Sequence, residues 1–161
     1  MKPKRIAIGC DHRGYPLKKQ LVEWLRKTGY EVKDFGTDSE TSCDYPDFGI
    51  KTALAVKQGE SDRGIVICHT GTGMSIAANK VKGIRAALCA TVEAAELSRK
   101  HNNANVLALG AGFTSFDLAK KICLTWLETQ FEGDRHERRI KKIASYEQSS
   151  RDRKEINNEN E

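Results

Sequence analysis

The stretch 63–80, RGIVICHTGTGMSIAANK, gathers residue types that can do chemistry at a useful spacing. A short apolar run ends in Cys68, Gly71 and Gly73 follow, and Ser75, Ile76, Ala77 and Ala78 open a helical pattern. Glycines let a backbone bend tightly and let a ligand approach its amides. The start of a helix carries unpaired N–H groups, which suit an anion. A free thiol ionises near pH ~8.5, and a helix N-terminus or a cation lowers that value. Cys68 can therefore take a proton from carbon beside a carbonyl, while the amides of residues 71–75 hold the resulting enediolate oxygen. Preorganised donors of this kind lower a barrier by about 3–4 kcal/mol each.

Other readings of the same stretch are weaker. A dinucleotide fingerprint G-x-G-x-x-G starting at Gly71 fails at Ile76, and it sits on the third strand rather than the first. Cysteine-dependent phosphatases place an arginine six positions after the cysteine. Met74 stands there, so the bidentate clamp for a phosphoryl group is missing. An inert strand cysteine is the plain structural alternative, and the histidines argue against it. His12, His101 and His136 lie beside Asp11, Asn102 and Arg135. Singly each reads as a surface or capping residue; together, at expected strand ends, they read as a site.

The elements that must position these residues follow from periodicity. Residues 4–11 form a buried strand pattern with Asp11 and His12 at its end. Residues 15–28 form an amphipathic helix with Leu17, Leu21, Trp24 and Leu25 at helical spacing, Pro16 in its first turn and Gly29 at its end. A strand at 31–35, a polar loop at 36–47, a helix at 48–58 and the Cys68 strand and its helix come next. A strand at 85–90, a helix at 92–100, a strand at 105–110 and a helix at 115–131 with Ser115 in its capping turn complete the pattern. Strands alternate with helices, and the strands are short and apolar. This predicts a three-layer, Rossmann-like α/β fold: a five-stranded parallel sheet flanked by helices. Ligands bind beyond the carboxyl ends of such strands. Asp11-His12, Cys68 with its loop, and His101-Asn102 are all expected there. One more helix opens near Arg135 and Arg139. From Glu147 the chain reads EQSSRDRKEINNENE, too polar to bury a core, and is expected to be disordered. The expected division is a single α/β domain over 1–146 and a polar tail over 147–161.

Composition bounds the function. A chain of 161 residues with 39% hydrophobic and 30% charged residues suits a globular domain. It has no apolar run of about 18 residues, so no membrane span is expected. The basic N-terminus lacks the apolar core of a signal peptide, so a cytoplasmic location is expected. The net charge of +5 falls partly on residues 135–142. No aromatics are interleaved there, which argues against nucleic acid. A solvated helix face is the plain reading of that stretch, and an anionic small molecule fits better than nucleic acid. The five cysteines contain no CxxC pair, which fits neither a disulfide framework nor a zinc site. Cys10, Cys89 and Cys123 read as core, and Cys43 lies in a polar loop.

Several motifs together resemble the type B ribose-5-phosphate isomerase family, shared with allose- and galactose-6-phosphate isomerases. They are Gly9-Cys10-Asp11-His12, Asp44-Tyr45-Pro46, TGTGMSIAANK at 70–80, Gly83-Ile84-Arg85-Ala86, SRKHNNAN at 98–105 and GDRHERR at 133–139. They run in order over about residues 5–145. The resemblance implies an aldose–ketose isomerase for a five- or six-carbon sugar phosphate, without metal or organic cofactor. It implies a homodimer, or a tetramer of such dimers, whose sites are shared across the interface by a C-terminal helix. By that likeness Cys68 is the base between C1 and C2, Thr70 bonds nearby, and the amides of Gly71, Thr72, Gly73, Met74 and Ser75 cradle the enediolate. Asp11 and His101 open the sugar ring, and Tyr45 and Asn102 hold hydroxyls. His12 meets the phosphate with Arg135 and Arg139 of the second subunit. The substrate expected is ribose 5-phosphate, isomerised to ribulose 5-phosphate. Family members that use a glutamate base carry it at the position of Ser75, so this chain falls with the cysteine users. Two positions depart: the family usually has glycine where His69 stands, and often arginine where Gly112 stands. Those departures keep two alternatives in view, a six-carbon aldose 6-phosphate as substrate, or a non-catalytic sugar-phosphate-binding protein on the same scaffold.

Overall fold

The computed structural model describes residues 3–158, with side chains described through residue 149. Strands β1 (Arg5–Cys10), β2 (Glu31–Asp34), β3 (Arg63–Cys68), β4 (Ala86–Leu88) and β5 (Val106–Gly110) form one sheet in the order β2-β1-β3-β5-β4. Every pairing is parallel, as the alternation of strand and helix requires. The connecting helices are α1 (Tyr15–Lys27), α2 (Tyr45–Lys57), α3 (Thr72–Asn79), α4 (Val92–Asn102) and α5 (Phe116–Glu128), followed by α6 (Asp134–Asn158).

Sequence expectation and structure differ in instructive places. The inner strands β1, β3 and β5 are buried almost throughout, but β2 and β4 are largely open. Each edge strand has a neighbour on one side only, and β2 carries Glu31, Lys33 and Asp34. Helix α2 starts at Tyr45 rather than at 48, because Pro46 in its first turn is compatible with helix there. The polar segment from Glu147, expected to be disordered, instead continues α6 to Asn158. Its first residues are tied down: Gly83 N donates to Glu147 Oε2 at 3.0 Å, and Lys82 Nζ to Gln148 Oε1 at 2.5 Å. Residues 159–161 of the expected tail lie outside the described residues. No helix among the described residues is long and apolar enough to cross a membrane.

The two faces of the sheet are built differently, and this aims the cysteine. Ile6, Ile8, Ile65, Ile67, Leu107 and Leu109 pack against Leu17, Leu21 and Leu25 of α1 and Ile122 and Trp126 of α5. The opposite face carries small residues, so α2 and α3 approach closely. A Cβ on Gly9 would overlap Thr52, and one on Gly64 would press on Val56 and Val106 at 3.1 Å. Val66, Cys68, Val106 and Ala108 share this second face with Ala53 of α2 and Met74 and Ala78 of α3. Side chains alternate along a strand, so Cys68 must point to the α2/α3 side with Val66.

The connection from β1 runs to β2 on one side, whereas β3 lies on β1's other side. The carboxyl ends of β1 and β3 therefore flank a topological switch point, where open parallel sheets bind ligands. Asp11 N still bonds Ile67 O across that point at 3.2 Å.

Candidate active site

At the carboxyl edge, β3 turns into α3 through a left-handed residue, Gly71, with φ of 79°. A Cβ there would overlap Leu88 and lie 2.9 Å from the Leu109 carbonyl carbon, so glycine is required by both conformation and space. The turn brings the Gly71 N–H onto Cys68 Sγ at 3.2 Å. Cys68 itself is buried. Thr70 Oγ1 accepts the Thr72 N–H at 3.2 Å, and Ser75 N bonds Gly71 O at 3.0 Å. The amides of Gly73 and Met74 have no acceptor among the described residues, as expected for the head of a helix. Met74 contributes only that amide, since its side chain is fully buried in the core. The Tyr45 ring lies directly on Gly73: a Cβ there would stand 2.9–3.2 Å from three ring carbons.

Two more expected residues reach this edge from β1. Asp11 is buried, and its Oδ1 accepts the N–H groups of Arg13 and Gly14, each at 2.9 Å. His12 accepts the Cys43 N–H at Nδ1 (3.2 Å), with the Cys43 sulfur 3.8 Å from the same atom. Cys43 thus belongs to the site's surroundings, which its polar loop sequence gave no sign of.

His101 and Asn102 are not where sequence reasoning placed them. They form the last turn of α4, which runs antiparallel to the strands and so delivers them to the start of β5. Cys68 pairs with Gly110 and Gly64 with Val106 along the β3–β5 ladder, so about 13 Å of strand separates the two edges. Arg135, His136 and Arg139 open α6 at this amino edge, and the His101 and His136 rings stack there at 4.3 Å with an 8° interplanar angle. One chain therefore holds two separate groups: Asp11, His12, Tyr45, Cys68, Thr70 and residues 71–75 at one edge, and His101, Asn102, Arg135 and Arg139 at the other.

The second group is fixed by arginines that sequence reasoning did not single out. Arg85 Nε donates to Asn102 O at 2.9 Å, and its Nη2 to Asn103 O at 2.9 Å. Arg99 Nη1 donates to Asn103 Oδ1 at 2.8 Å and to Ala104 O at 2.5 Å, and its Nε to Thr129 O at 3.3 Å. Both cations sit on the carbonyl end of α4, where the helix dipole favours them. Burial, with Arg63 and Arg85 nearby, pulls the Arg99 guanidinium down to about 10. Asn103 is left-handed at φ 45°, the one local clue in the sequence being an asparagine just past a helix end.

A metal is a poor occupant for the amino-edge cluster. His101, Glu132 and His136 bring ligand atoms within 4.8 Å of one another. The imidazoles are stacked, however, so their lone pairs run side by side instead of converging. Burial first, then His101, Arg135 and Arg139, lower the His136 pKa, and the two arginines make the surroundings better suited to an anion than to a cation.

The two departures at residues 69 and 112 prove to be one feature. A Cβ on Gly112 would lie within 2.9 Å of Cε1, Nδ1 and Nε2 of His69. The ring also meets Phe113 at 5.8 Å, and Gly112 N donates to His69 O at 2.8 Å. His69 occupies the space that a side chain at 112 would need.

Comparison with known proteins agrees with this architecture. The model of the Ribose/Galactose Isomerase family matches residues 6–143. Ribose-5-phosphate isomerase B of Escherichia coli is 50% identical over 145 residues, covering 90% of this chain and 97% of that protein. The structure of Clostridium thermocellum ribose-5-phosphate isomerase B superposes with a TM-score of 0.89 at 56% identity, covering 91% of this chain and 99% of the other. That of the Mycoplasma genitalium enzyme with bound ribulose-5-phosphate gives 0.85 at 44% identity, covering 89% and 96%.

Two outcomes are expected. In a double-mutant cycle, Gly112→Arg should destabilise the protein beside His69 and cost less beside His69→Gly, with a coupling of about 0.5 kcal/mol or more in urea unfolding; additive effects would separate the two positions. A lowered histidine pKa means that the unfolded chain takes up the proton first, so His136 weakens the fold as pH falls through 6.5. Unfolding midpoints should therefore drop between about pH 7.5 and about pH 5.5, and drop less in His136→Gln.

Proposed function

This chain belongs to the ribose/galactose isomerase family and is an aldose–ketose isomerase, and on that premise we propose that it interconverts ribose 5-phosphate and ribulose 5-phosphate with Cys68 as the base. The observation that carries the reading is the Gly71 N–H on Cys68 Sγ, beside the amides of Gly73 and Met74, which have no acceptor among the described residues. An N–H aimed at sulfur stabilises a thiolate, and amides without acceptors are preorganised for an oxyanion.

In the forward direction the Cys68 thiolate removes the proton from C2 of the open-chain aldose. The C–H electrons form the C1–C2 double bond, and the carbonyl electrons move to O1, held by the amides of Gly73 and Met74. The C1–C2 double bond then takes the proton back from Cys68 at C1, O2 gives up its hydrogen as the C2 carbonyl forms, and O1 takes up a proton, so that O2–H is exchanged for O1–H and the ketone results. Thr70 supports the cradle through its bond to the Thr72 amide. Tyr45, seated on Gly73, offers its hydroxyl to the sugar. Asp11 acts on the ring hydroxyl, and His12 meets the phosphate.

The remaining roles need a second copy of the chain. His101, Asn102, Arg135 and Arg139 lie at the far edge of the sheet, and a cytoplasmic homodimer that sets this edge against the partner's Cys68 loop completes the site. His101 then assists ring opening, Asn102 holds a hydroxyl, and the two arginines neutralise the phosphate. This arrangement gives a use to the exposed Arg135 and Arg139 and the half-buried His101 at that edge.

Purified protein should isomerise ribose 5-phosphate in the presence of a chelator, and Cys68→Ala should be folded and inactive; full activity in that variant would refute the base assignment. Arg135→Ala or Arg139→Ala should raise KM about tenfold or more with kcat nearly kept, because uniform phosphate binding is lost. For a shared site, Cys68→Ala and His101→Ala chains should each be inactive alone and regain part of the activity when co-expressed, since one site of each mixed dimer is intact. No regain would contradict a site shared between subunits.

A further inference from the structure

The contact between His12 and Cys43 fixes more than a position. It is the backbone N–H of Cys43 that approaches His12 Nδ1, at 3.2 Å, and a backbone amide can only donate. A ring nitrogen that accepts a hydrogen bond carries no proton. The imidazole is then neutral, with its single hydrogen on Nε2, on the side of the ring away from the Cys43 loop. An imidazolium in this pose would set N–H against N–H across 3.2 Å and leave the Cys43 amide unpaired. The same contact excludes a thiolate–imidazolium pair between Cys43 and His12, although the sulfur lies only 3.8 Å from Nδ1. Such a pair would need the proton on the nitrogen that the amide occupies.

Resting on the isomerase reading above, we propose that His12 meets the phosphate monoester as a neutral Nε2–H donor, and that the Cys43 amide is the positioning group that holds this tautomer. The charge of the phosphate is then met elsewhere, by the arginines, while His12 supplies direction. The neutral donor also leaves the positive charge at the site unchanged when substrate departs. Because the positioning group is main chain, the Cys43 thiol is dispensable.

The test combines a spectroscopic signature with two isosteres. In protein carrying 15N-labelled histidine, long-range 1H–15N correlation at neutral pH should show His12 with Nδ1 unprotonated and Nε2 protonated, in the wild type and equally in Cys43→Ala. A glutamine side chain places an amide N–H near the position of Nε2, and asparagine near that of Nδ1. His12→Gln should therefore raise KM for ribose 5-phosphate clearly less than His12→Asn does, and His12→Asn should raise it about tenfold or more, the loss expected for one hydrogen bond to a charged group. An Nδ1–H tautomer or an imidazolium in the spectrum overturns the proposal, as does a tautomer that changes in Cys43→Ala. A KM as poor in His12→Gln as in His12→Asn overturns it too, by showing that charge or the ring itself is required. If the wild type fails to turn over ribose 5-phosphate, the assignment of that substrate falls, and the spectrum still decides the tautomer.

Discussion

The site depends on the turn by which β3 becomes α3. A buried thiol has to meet a hydrogen-bond donor, and the head of a helix has to keep amides unpaired, within a few residues of chain. The left-handed Gly71 achieves both, sending its own N–H to Cys68 Sγ and starting a helix whose Gly73 and Met74 amides find no acceptor among the described residues. The rest of the fold serves that turn. Small residues on the α2/α3 face of the sheet let those helices lie close, and strand alternation points Cys68 toward them. The strand order puts the β1–β3 crevice beside it, so that Asp11 and His12 arrive from the neighbouring strand.

The amino edge presents the opposite problem, a concentration of positive charge that must be held in place before any ligand arrives. Arg85 and Arg99 do this largely through carbonyl and amide oxygens, gripping the end of α4 on which His101 and Asn102 sit. Burying a guanidinium is costly, and a set of well-formed acceptors is what offsets the cost. With the end of α4 held in this way and the sheet between it and the thiol, the amino-edge group fits the proposal that it is half of a site. The proposed homodimer would bring the two groups together.

Much of this was legible in the sequence, and what was not has physical reasons. The glycine loop after Cys68, the alternation of strand and helix, and the strand-end position of Asp11 are local patterns, and local patterns survive without coordinates. The placement of His101 and Asn102 is a matter of direction: residues at a helix end belong to the strand edge that the helix returns to, and proximity in sequence to β5 did not say which edge. The contact of Cys43 with His12 and the interlock of His69 with Gly112 join residues 31 and 43 positions apart, so no short-range signal could carry them. The departures from the family pattern at 69 and 112 looked like two changes because a sequence shows positions, not the space they share. The polar segment after Glu147 was misjudged because its composition could not reveal the bonds from Lys82 and Gly83 that meet its start.

The central claim is that Cys68 moves a solvent-exchangeable proton between C1 and C2. The most direct measurement is turnover of unlabelled ribose 5-phosphate in D2O, with the position of deuterium in the ribulose 5-phosphate read by NMR. A thiol that has taken the C2 proton exchanges it with solvent, so deuterium should appear at C1 of the product in the wild type, and neither product nor label in Cys68→Ala. Product formed at full rate with no deuterium at C1 would mean that the transferred hydrogen never exchanges with solvent, and would contradict the account.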